Sequence, residues 1–554
     1  MRPDLEQRAI ECMNRMAAAD PRLSRRRVLQ AAMALGFGTA GGLLTAGRAG
    51  AADAKRPLFT AYPFSLGVAS GYPRPDRVTL WTRLAPEPLR AHGGMLPEMV
   101  DVRYEVAEDE QFGKIVAQGA VRAVPELAHS ARITVRELAP DRWYFYRFIS
   151  GDAVSRTGRT RTAPAADSRP ARFRTAIGSC QHYAQGYFGA YRHLLKDDLD
   201  LMLFLGDYIY ESNWGDNLVR AHLGDEAVTL ANYRVRHAQY KTDIDLQSMH
   251  AALPWAYVWD DHEVDNDYAD AVSEHLDPAF LARRAAAYQA FFEHQPMPWD
   301  MRPNGPDMRI YDSLDIGQLA RIYLLDDRQY RSPEPCPGDY KGGGSGDVDP
   351  AQCPTVNDPA QSMLGAEQEA WFDTAVAGSK ARWNLVAQQT LFSRFDSVPG
   401  PGRKVFSDGW DAYPAARRRL LQSLQTHQTN NPLILGGDIH ASVVANVHAE
   451  AEDMQSPVVA AEFCGTSISS QGWSPSMRFD SRLPENPHVL YGDTNKRGYL
   501  RFDIDSRRCR VDVQVLDDEK KLDSGISTAA SFVVVAGRAG IVRRCGLREV
   551  GTRD

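Results

Sequence analysis

Five short stretches end an apolar run in side chains that ligate metals or move protons. "GSCQHY" sets Cys180 two residues before His182, "LMLFLGDYIYE" sets Asp207 three before Tyr210, and "NPLILGGDIHAS" sets Asp438 two before His440. "YVWDDHEVDNDY" brings Asp260, Asp261, His262, Glu263, Asp265, Asn266 and Asp267 into one loop, and "LLDDRQYRS" ends in reach of Arg328. So many carboxylates repel one another unless hard cations or water compensate, and thiolate coordination needs a deprotonated sulfur that a metal itself promotes. Asp438 and His440 emerge on one face if their segment stays extended. A guanidinium at a strand end can clamp phosphate oxygens bidentately.

Each stretch also has an ordinary structural use. Cys180 is protected from oxidation either by burial or by a metal. Asp207 can be a helix N-cap with Tyr210 as packing, the acidic loop can be solvated, and Arg328 can pair with Asp326 or Asp327. Against a solvated loop stands "LPWAYVW", which brings the chain out of a core.

The elements that must position these residues are of two kinds. From about Phe64 to Thr162 short runs rich in Val, Tyr and Trp alternate with turn residues, as in "VDVRYEVAED" and "RWYFYRFISG"; this patterning predicts a small all-β sandwich over 60–163. After the linker "TAPAADSRPARF", apolar strands alternate with helical stretches, which predicts a layered α/β domain over 171–535 and a tail over 536–554. The reactive residues then fall at strand C-termini, where open α/β sheets place ligands.

The N-terminal "SRRRVLQAAMALGFGTAGGLLTAGRAGAADA" joins Arg25, Arg26 and Arg27 to an uncharged run from Val28 to Gly47 and then to small residues. It reads as a twin-arginine export signal over 1–51, cleaved at Ala49-Gly50-Ala51, which places the mature chain in the periplasm or outside the cell. A transmembrane anchor is the alternative, since about 20 uncharged residues can span a bilayer, but the glycines lower its hydrophobicity. The translocation machinery is then a partner, and a folded protein can carry a metal through it. The mature chain is expected to have no stable membrane span.

Over 554 residues, 64 Lys and Arg face 71 Asp and Glu, a formal charge of −7. The first 51 residues hold eight arginines and four acids, so the remainder stands at about −11. Such a surface lacks the basic footprint of nucleic-acid binding and any broad attraction to anionic membranes. In an oxidising compartment Cys336 and Cys353, which flank "PGDYKGGGSGDVDPAQ", can close that loop as a disulfide. Cys464 reads as a small buried hydrophobe, and Cys509 and Cys545 can pair or stay free.

Taken together and in order, the motifs resemble a binuclear metallophosphatase, whose usual sets are Asp-x-His, Gly-Asp-x-x-Asp, Gly-Asn-His-Asp/Glu and Gly-His-x-His. Here they stand as Cys180-x-His182, Gly206-Asp207-x-x-Tyr210, Asp260-Asp261-His262-Glu263 and Gly437-Asp438-x-His440. Cys at the first position, Tyr for the second Asp and Asp for the first His of the last set are similar to the alkaline phosphatase D (PhoD) family. Extended stretches such as "LGVASGYPRPDRVTLWTRL", "LDDRQYRSPEPC", "WDAYPAARRRL", "EFCGTSISS" and "NPHVLY" carry the resemblance over nearly the whole mature chain.

The resemblance implies a metallophosphatase-like domain of two packed β-sheets flanked by helices, hydrolysing phosphate monoesters and diesters with Fe(3+) and Ca(2+). It makes Asp207 a bridging carboxylate, puts Cys180, Tyr210 and Asp438 on iron, puts Asp261 and Asn266 on the calcium side, adds His440 as a ligand and sets Arg328 on phosphate. His262 is a ligand, an acid that protonates the leaving group or a support for a ligand. Substrates would be small phosphate esters or phosphodiester polymers and lipids. Rival readings are a strict phosphodiesterase or phospholipase D-type enzyme, and a noncatalytic phosphate- or glycan-binding protein on the same fold.

Overall fold

The computed structural model describes residues 59, 61–337, 343–474 and 479–545. The arginine-led N-terminal segment and the end of the C-terminal tail lie outside the described residues. From Tyr62 onward the chain forms one compact unit.

The first strands are β1 (Val68–Arg74), β2 (Arg77–Arg83), β3 (Val100–Ala107), β4 (Ile115–Ala123), β5 (Ser130–Val135), β6 (Trp143–Ser150), β7 (Ala153–Val154) and β8 (Gly158–Arg161). Then come β9 (Arg172–Gly178), α1 (Ala190–Leu194), β10 (Leu201–Leu205), α2 (Leu230–Lys241), α3 (Ile244–Ala252), β11 (Trp255–Val258) and α4 (Phe280–His294). The next stretch carries β12 (Asp312–Ile316), β13 (Ala320–Leu324), β14 (Asp347–Val348), α5 (Gly365–Ala377), β15 (Trp383–Ala387), β16 (Val405–Phe406), α6 (Pro414–Thr426) and β17 (Pro432–Gly436). Strands β18 (Ser442–His448), β19 (Val458–Cys464), β20 (Val489–Asp493), β21 (Gly498–Asp505), β22 (Arg508–Leu516), β23 (Ile526–Val535) and β24 (Arg543–Cys545) close the chain.

Local sequence explains the strand types. In β6, Tyr144, Tyr146 and Phe148 are buried while Trp143, Phe145 and Arg147 are only partly so, the period-two signature of a strand with one wet face. All five residues of β10, Leu-Met-Leu-Phe-Leu, are buried, as a central parallel strand requires.

A ten-stranded sheet runs β24-β23-β22-β21-β9-β10-β11-β1-β2-β5, and a seven-stranded sheet runs β12-β13-β15-β17-β19-β18-β20. One apolar cluster joins Leu203 and Phe204 of the first to Leu385, Leu433 and Leu435 of the second, so the two sheets share a core. Outside it, Tyr240, Met249 and Phe291 bring α2, α3 and α4 onto the ten-stranded sheet. On the far side, Phe372, Leu420 and Leu424 bring α5 and α6 onto Tyr323, Val386 and Ile434 of the seven-stranded sheet. The result is a mixed α/β fold with helices over both sheets.

The N-terminal strands depart from a self-contained sandwich. β3, β4, β6, β7 and β8 form their own sheet, whereas β1, β2 and β5 extend the ten-stranded sheet, with β1 parallel to β11. Gly71 permits that junction: a Cβ there would lie 2.8 Å from the Trp255 carbonyl oxygen and 2.9 Å from that of Pro296. At the other edge β24 pairs with β23, so the sheet continues into the segment expected as tail.

Cys336 and Cys353 form a disulfide, and Cys464 and Cys509 are buried free thiols. No helix among the described residues is long and apolar enough to cross a membrane.

Candidate metal centre and active site

The parallel register sets the site. Phe204 pairs with Gly178 on one side and Tyr257 on the other, so β9, β10 and β11 end level, and the chain past each end carries Cys180, Asp207 and Asp260 to His262. In the facing sheet β13, β15 and β17 run parallel and release Asp326 to Arg328, Thr390, and Asp438 to His440. The backbone turns sharply at these points: Cys180, Asp207, Asp438 and His440 adopt φ of 56°, 55°, 63° and 53°. Left-handed conformations in non-glycine residues cost about 1 to 3 kcal/mol each and gather where function over-determines the backbone. Gly206, at φ 101°, allows the closest approach, since a Cβ there would sit 2.4 Å from Asp260 Cβ.

Side-chain donors then meet. Cys180, Asp207 and His440 present ligand atoms within 4.8 Å of one another, as do Asp207, Asp261 and His262, and Asp207 with Asp260, Asp261 and Asp438. Asp207 belongs to all three groups. The Tyr210 hydroxyl donates to Asp207 Oδ2 at 2.8 Å, lies 3.1 Å from His440 Nε2 and accepts from Ser470 Oγ at 2.8 Å. Thr390 Oγ1 donates to Asp438 Oδ2 at 2.7 Å. Among the described residues, Asp207 Oδ1 and Asp260 Oδ2 are buried with no hydrogen-bond partner. Orphaned buried carboxylate oxygens are costly, and a cation relieves that cost.

Burial, then neighbouring charge, raises the pKa of Asp207, Asp438, Cys180 and Tyr210 well above ordinary values. Burial also pushes Asp260 up to about 7, against the pull of Arg328. A set held this way keeps its protons unless a cation takes their place, and three carboxylates with a thiol, a phenol and an imidazole fit that exchange. His262 is the opposite case: burial opposes its charge, but Glu211, Asp261 and Asp207 hold its pKa well above the usual histidine value. Its Nδ1 lies 2.7 Å from Glu211 Oε2. Burial drives His440 down to about 3, leaving the imidazole neutral as a ligand must be.

The structure therefore brings together Cys180, Asp207, Tyr210, Asp261, His262, Asp438 and His440. Asn266 lines the same cavity, and its Nδ2 donates to Glu274 Oε2 at 3.1 Å. Arg328 sits behind the ligands: its side chain is 1% exposed, pairs with Asp260 through Nε, clasps Asp408 with both terminal nitrogens and stands 3.7 Å from Asp261. Asp326 accepts instead from the Arg328 backbone N–H at 3.0 Å. His182 is buried, with its ring centroid 4.5 Å from that of Tyr210, and does not line the cavity.

Sequence reasoning singled out Asp261 and Asp267 but missed Asp408, Thr390 and Glu211. Asp261, Asp267 and Asp408 form a further donor group within 4.8 Å, Thr390 holds Asp438, and Glu211 holds His262. Asp267 and Glu211 lie inside stretches already marked by composition, whereas Asp408, in "VFSDGWDAY", carries no local signal. Asp207, Glu211, Asp261, His262, Asn266, Asp267, Thr390, Asp408, Asp438 and His440 border one cavity of about 630 Å³, and Cys180, Tyr210, Asp260 and Arg328 do not line it.

A family model for PhoD-like phosphatase matches residues 175–513, and one for its N-terminal domain matches residues 50–164. The chain is 41% identical over 527 residues to alkaline phosphatase D of Bacillus subtilis (strain 168), spanning 93% of this chain and 88% of that protein. It superposes on the solved structure of PhoD with a TM-score of 0.84 at 40% identity, covering 89% of this chain and 94% of that one. With donors gathered at facing strand ends, these matches define a phosphoric ester hydrolase. The chain belongs to the PhoD-like phosphatase family.

Proposed function

We propose that this protein is an exported alkaline phosphatase D-like enzyme that hydrolyses phosphate monoesters and diesters with iron and calcium. The observation that carries the reading is the buried, unpartnered Asp207 Oδ1 at the junction of three donor groups. Cys180, Tyr210, Asp438 and His440 would hold ferric iron on one side of Asp207, because thiolate and phenolate favour a trivalent ion. Asp261, Asn266, Asp267 and Asp408, all oxygen donors, suit calcium. When bound, the ions neutralise phosphoryl charge and acidify the attacking water.

The chain's own groups do the rest. Thr390 orients Asp438, and Ser470 orients the Tyr210 oxygen that would hold the ion. Glu211 fixes His262 through Nδ1, so that Nε2 holds the proton destined for the leaving oxygen. Arg328 acts by holding Asp260, Asp261 and Asp408 in register, since its donors are already engaged. Export by the twin-arginine route rests on the arginine-led segment before residue 51.

The test is elemental analysis of enzyme purified without chelators, alongside Asp207→Asn. Iron with calcium in the wild type, and loss of both metal and p-nitrophenyl phosphate turnover in a folded variant, is the expected outcome. Two zinc ions, or an active Asp207→Asn enzyme, would overturn the ligand assignment.

A further inference from the structure

The lining of the cavity over the ligand floor has two unlike parts. One is apolar: Leu391, Phe395, Phe406, Trp473 and Phe479 form it, and Trp214 closes it at the floor. The rings of Phe395 and Phe479 stack at 5.2 Å, and Trp473 meets Phe479 edge-on at 5.2 Å, so the surface is continuous. The other is charged or polar: Glu226 and Asp265 both pair with Arg283, Asp347 is the ladder partner of Phe406, and Glu274, His275 and Arg482 also border the cavity.

The apolar wall begins at the ligands themselves. Leu391 follows Thr390, Phe406 stands two residues before Asp408, and the Trp214 ring lies parallel to that of His440 at 5.7 Å. Trp473 Nε1 donates to the carbonyl of Ile439, the residue between Asp438 and His440, at 2.6 Å. Phe406 remains 45% exposed. Phe395 and Phe479 are buried behind it, Trp473 and Trp214 are half-buried, and catalysis at the floor needs none of these rings; aromatic surface lining a concave site marks an apolar ligand group.

Resting on the phosphoesterase reading above, we infer that this wall seats the organic group of the substrate. The preferred esters are those with an aryl or similarly bulky, neutral, apolar substituent on the phosphorus oxygen. Small polar alcohols leave Phe406 and Trp473 uncovered. Trp473 and Phe406 are then specificity-determining residues.

Non-hydrolysable phosphonates read this directly, because they separate seating of the organic group from leaving-group chemistry. Inhibition of p-nitrophenyl phosphate hydrolysis is measured with inorganic phosphate, methylphosphonate and phenylphosphonate on the wild type, Phe406→Ala and Trp473→Ala. Phenylphosphonate should bind the wild type about tenfold more tightly than methylphosphonate, or more. The advantage should shrink several-fold in each variant, while inhibition by inorganic phosphate stays within about twofold, as expected for an intact floor. Phe406→Ala, at an exposed position, keeps the test valid if Trp473→Ala disturbs the Ile439 loop. A phenyl-to-methyl ratio near one in the wild type, or one that survives in Phe406→Ala, overturns the proposal while phosphate still binds. Absence of both turnover and phosphate inhibition would sink the hydrolase reading as well, and with it this one.

Discussion

Tyr210 meets the rest of the centre through both its hydroxyl and its ring. Its hydroxyl meets Asp207, His440 and Ser470, and its ring lies 4.2 Å from that of His262. A packing tyrosine would have no need of four such neighbours. Tyr210→Phe keeps the ring and removes the oxygen, so, if Tyr210 ligates iron as proposed above, the expected outcome is a protein still folded by circular dichroism but without visible charge-transfer absorption and with most of the iron lost. Colour and iron that persist would return Tyr210 to a packing role. At this scale much of the candidate site was legible in the sequence, because Cys180, Asp207, Asp261, Asp438 and His440 each stand within four residues of the end of an apolar strand. Arg328 was legible as a strand-end residue but not in its use: only the fold shows that Asp408, 80 residues later, comes back to take its guanidinium. A chain position has no memory of which distant loop returns to it.

Between residue and fold stands a small element that sequence patterning does not reveal. Strands β14 and β16 pair as Asp347 with Phe406 and Val348 with Val405, and the disulfide from Cys336 to Cys353 closes the loop that carries β14. That loop reaches the centre through Ser345, whose backbone N–H and hydroxyl both donate to Asp267 Oδ2, at 3.0 and 2.7 Å. The long parallel strands were legible from their apolar runs and β-branched residues, but a two-residue ladder has no period to read. Replacing Cys336 and Cys353 by serine should lower stability by about 3 kcal/mol in chemical denaturation, as expected for a closed loop of this size. If Asp267 ligates calcium as proposed above, loss of its anchor should also weaken calcium binding roughly tenfold. Titration of the apo-enzyme with calcium measures that, and affinity unchanged in the reduced wild type and in the double variant would show that the loop supports only the fold.

At the scale of the whole molecule the question is whether the N-terminal segment is an attached module or part of the catalytic body. Its strands were legible; its shared sheet was not, since a parallel junction such as β1 on β11 leaves no mark in either strand. Strand β11 leads directly into Asp260, Asp261 and His262, so whatever steadies its edge also steadies the site. Across the junction the Trp81 indole donates to the Glu293 carbonyl at 2.8 Å, the Tyr72 hydroxyl to that of Tyr257 at 3.2 Å, and Arg83 Nη1 lies 2.7 Å from His294 Nε2. Trp81 is fully buried beside Ala238 of α2, with the Lys241 ammonium 4.6 Å from its ring centroid. Trp81→Ala should therefore destabilise the protein by about 3 to 5 kcal/mol, the range for a large buried side chain. The diagnostic feature is the shape of the unfolding curve. A shared sheet predicts that tryptophan fluorescence, far-ultraviolet circular dichroism and loss of phosphatase activity move together to lower denaturant in one transition. A module merely attached would lose its own structure first and leave activity at its wild-type midpoint, and that separation would refute a single folding body.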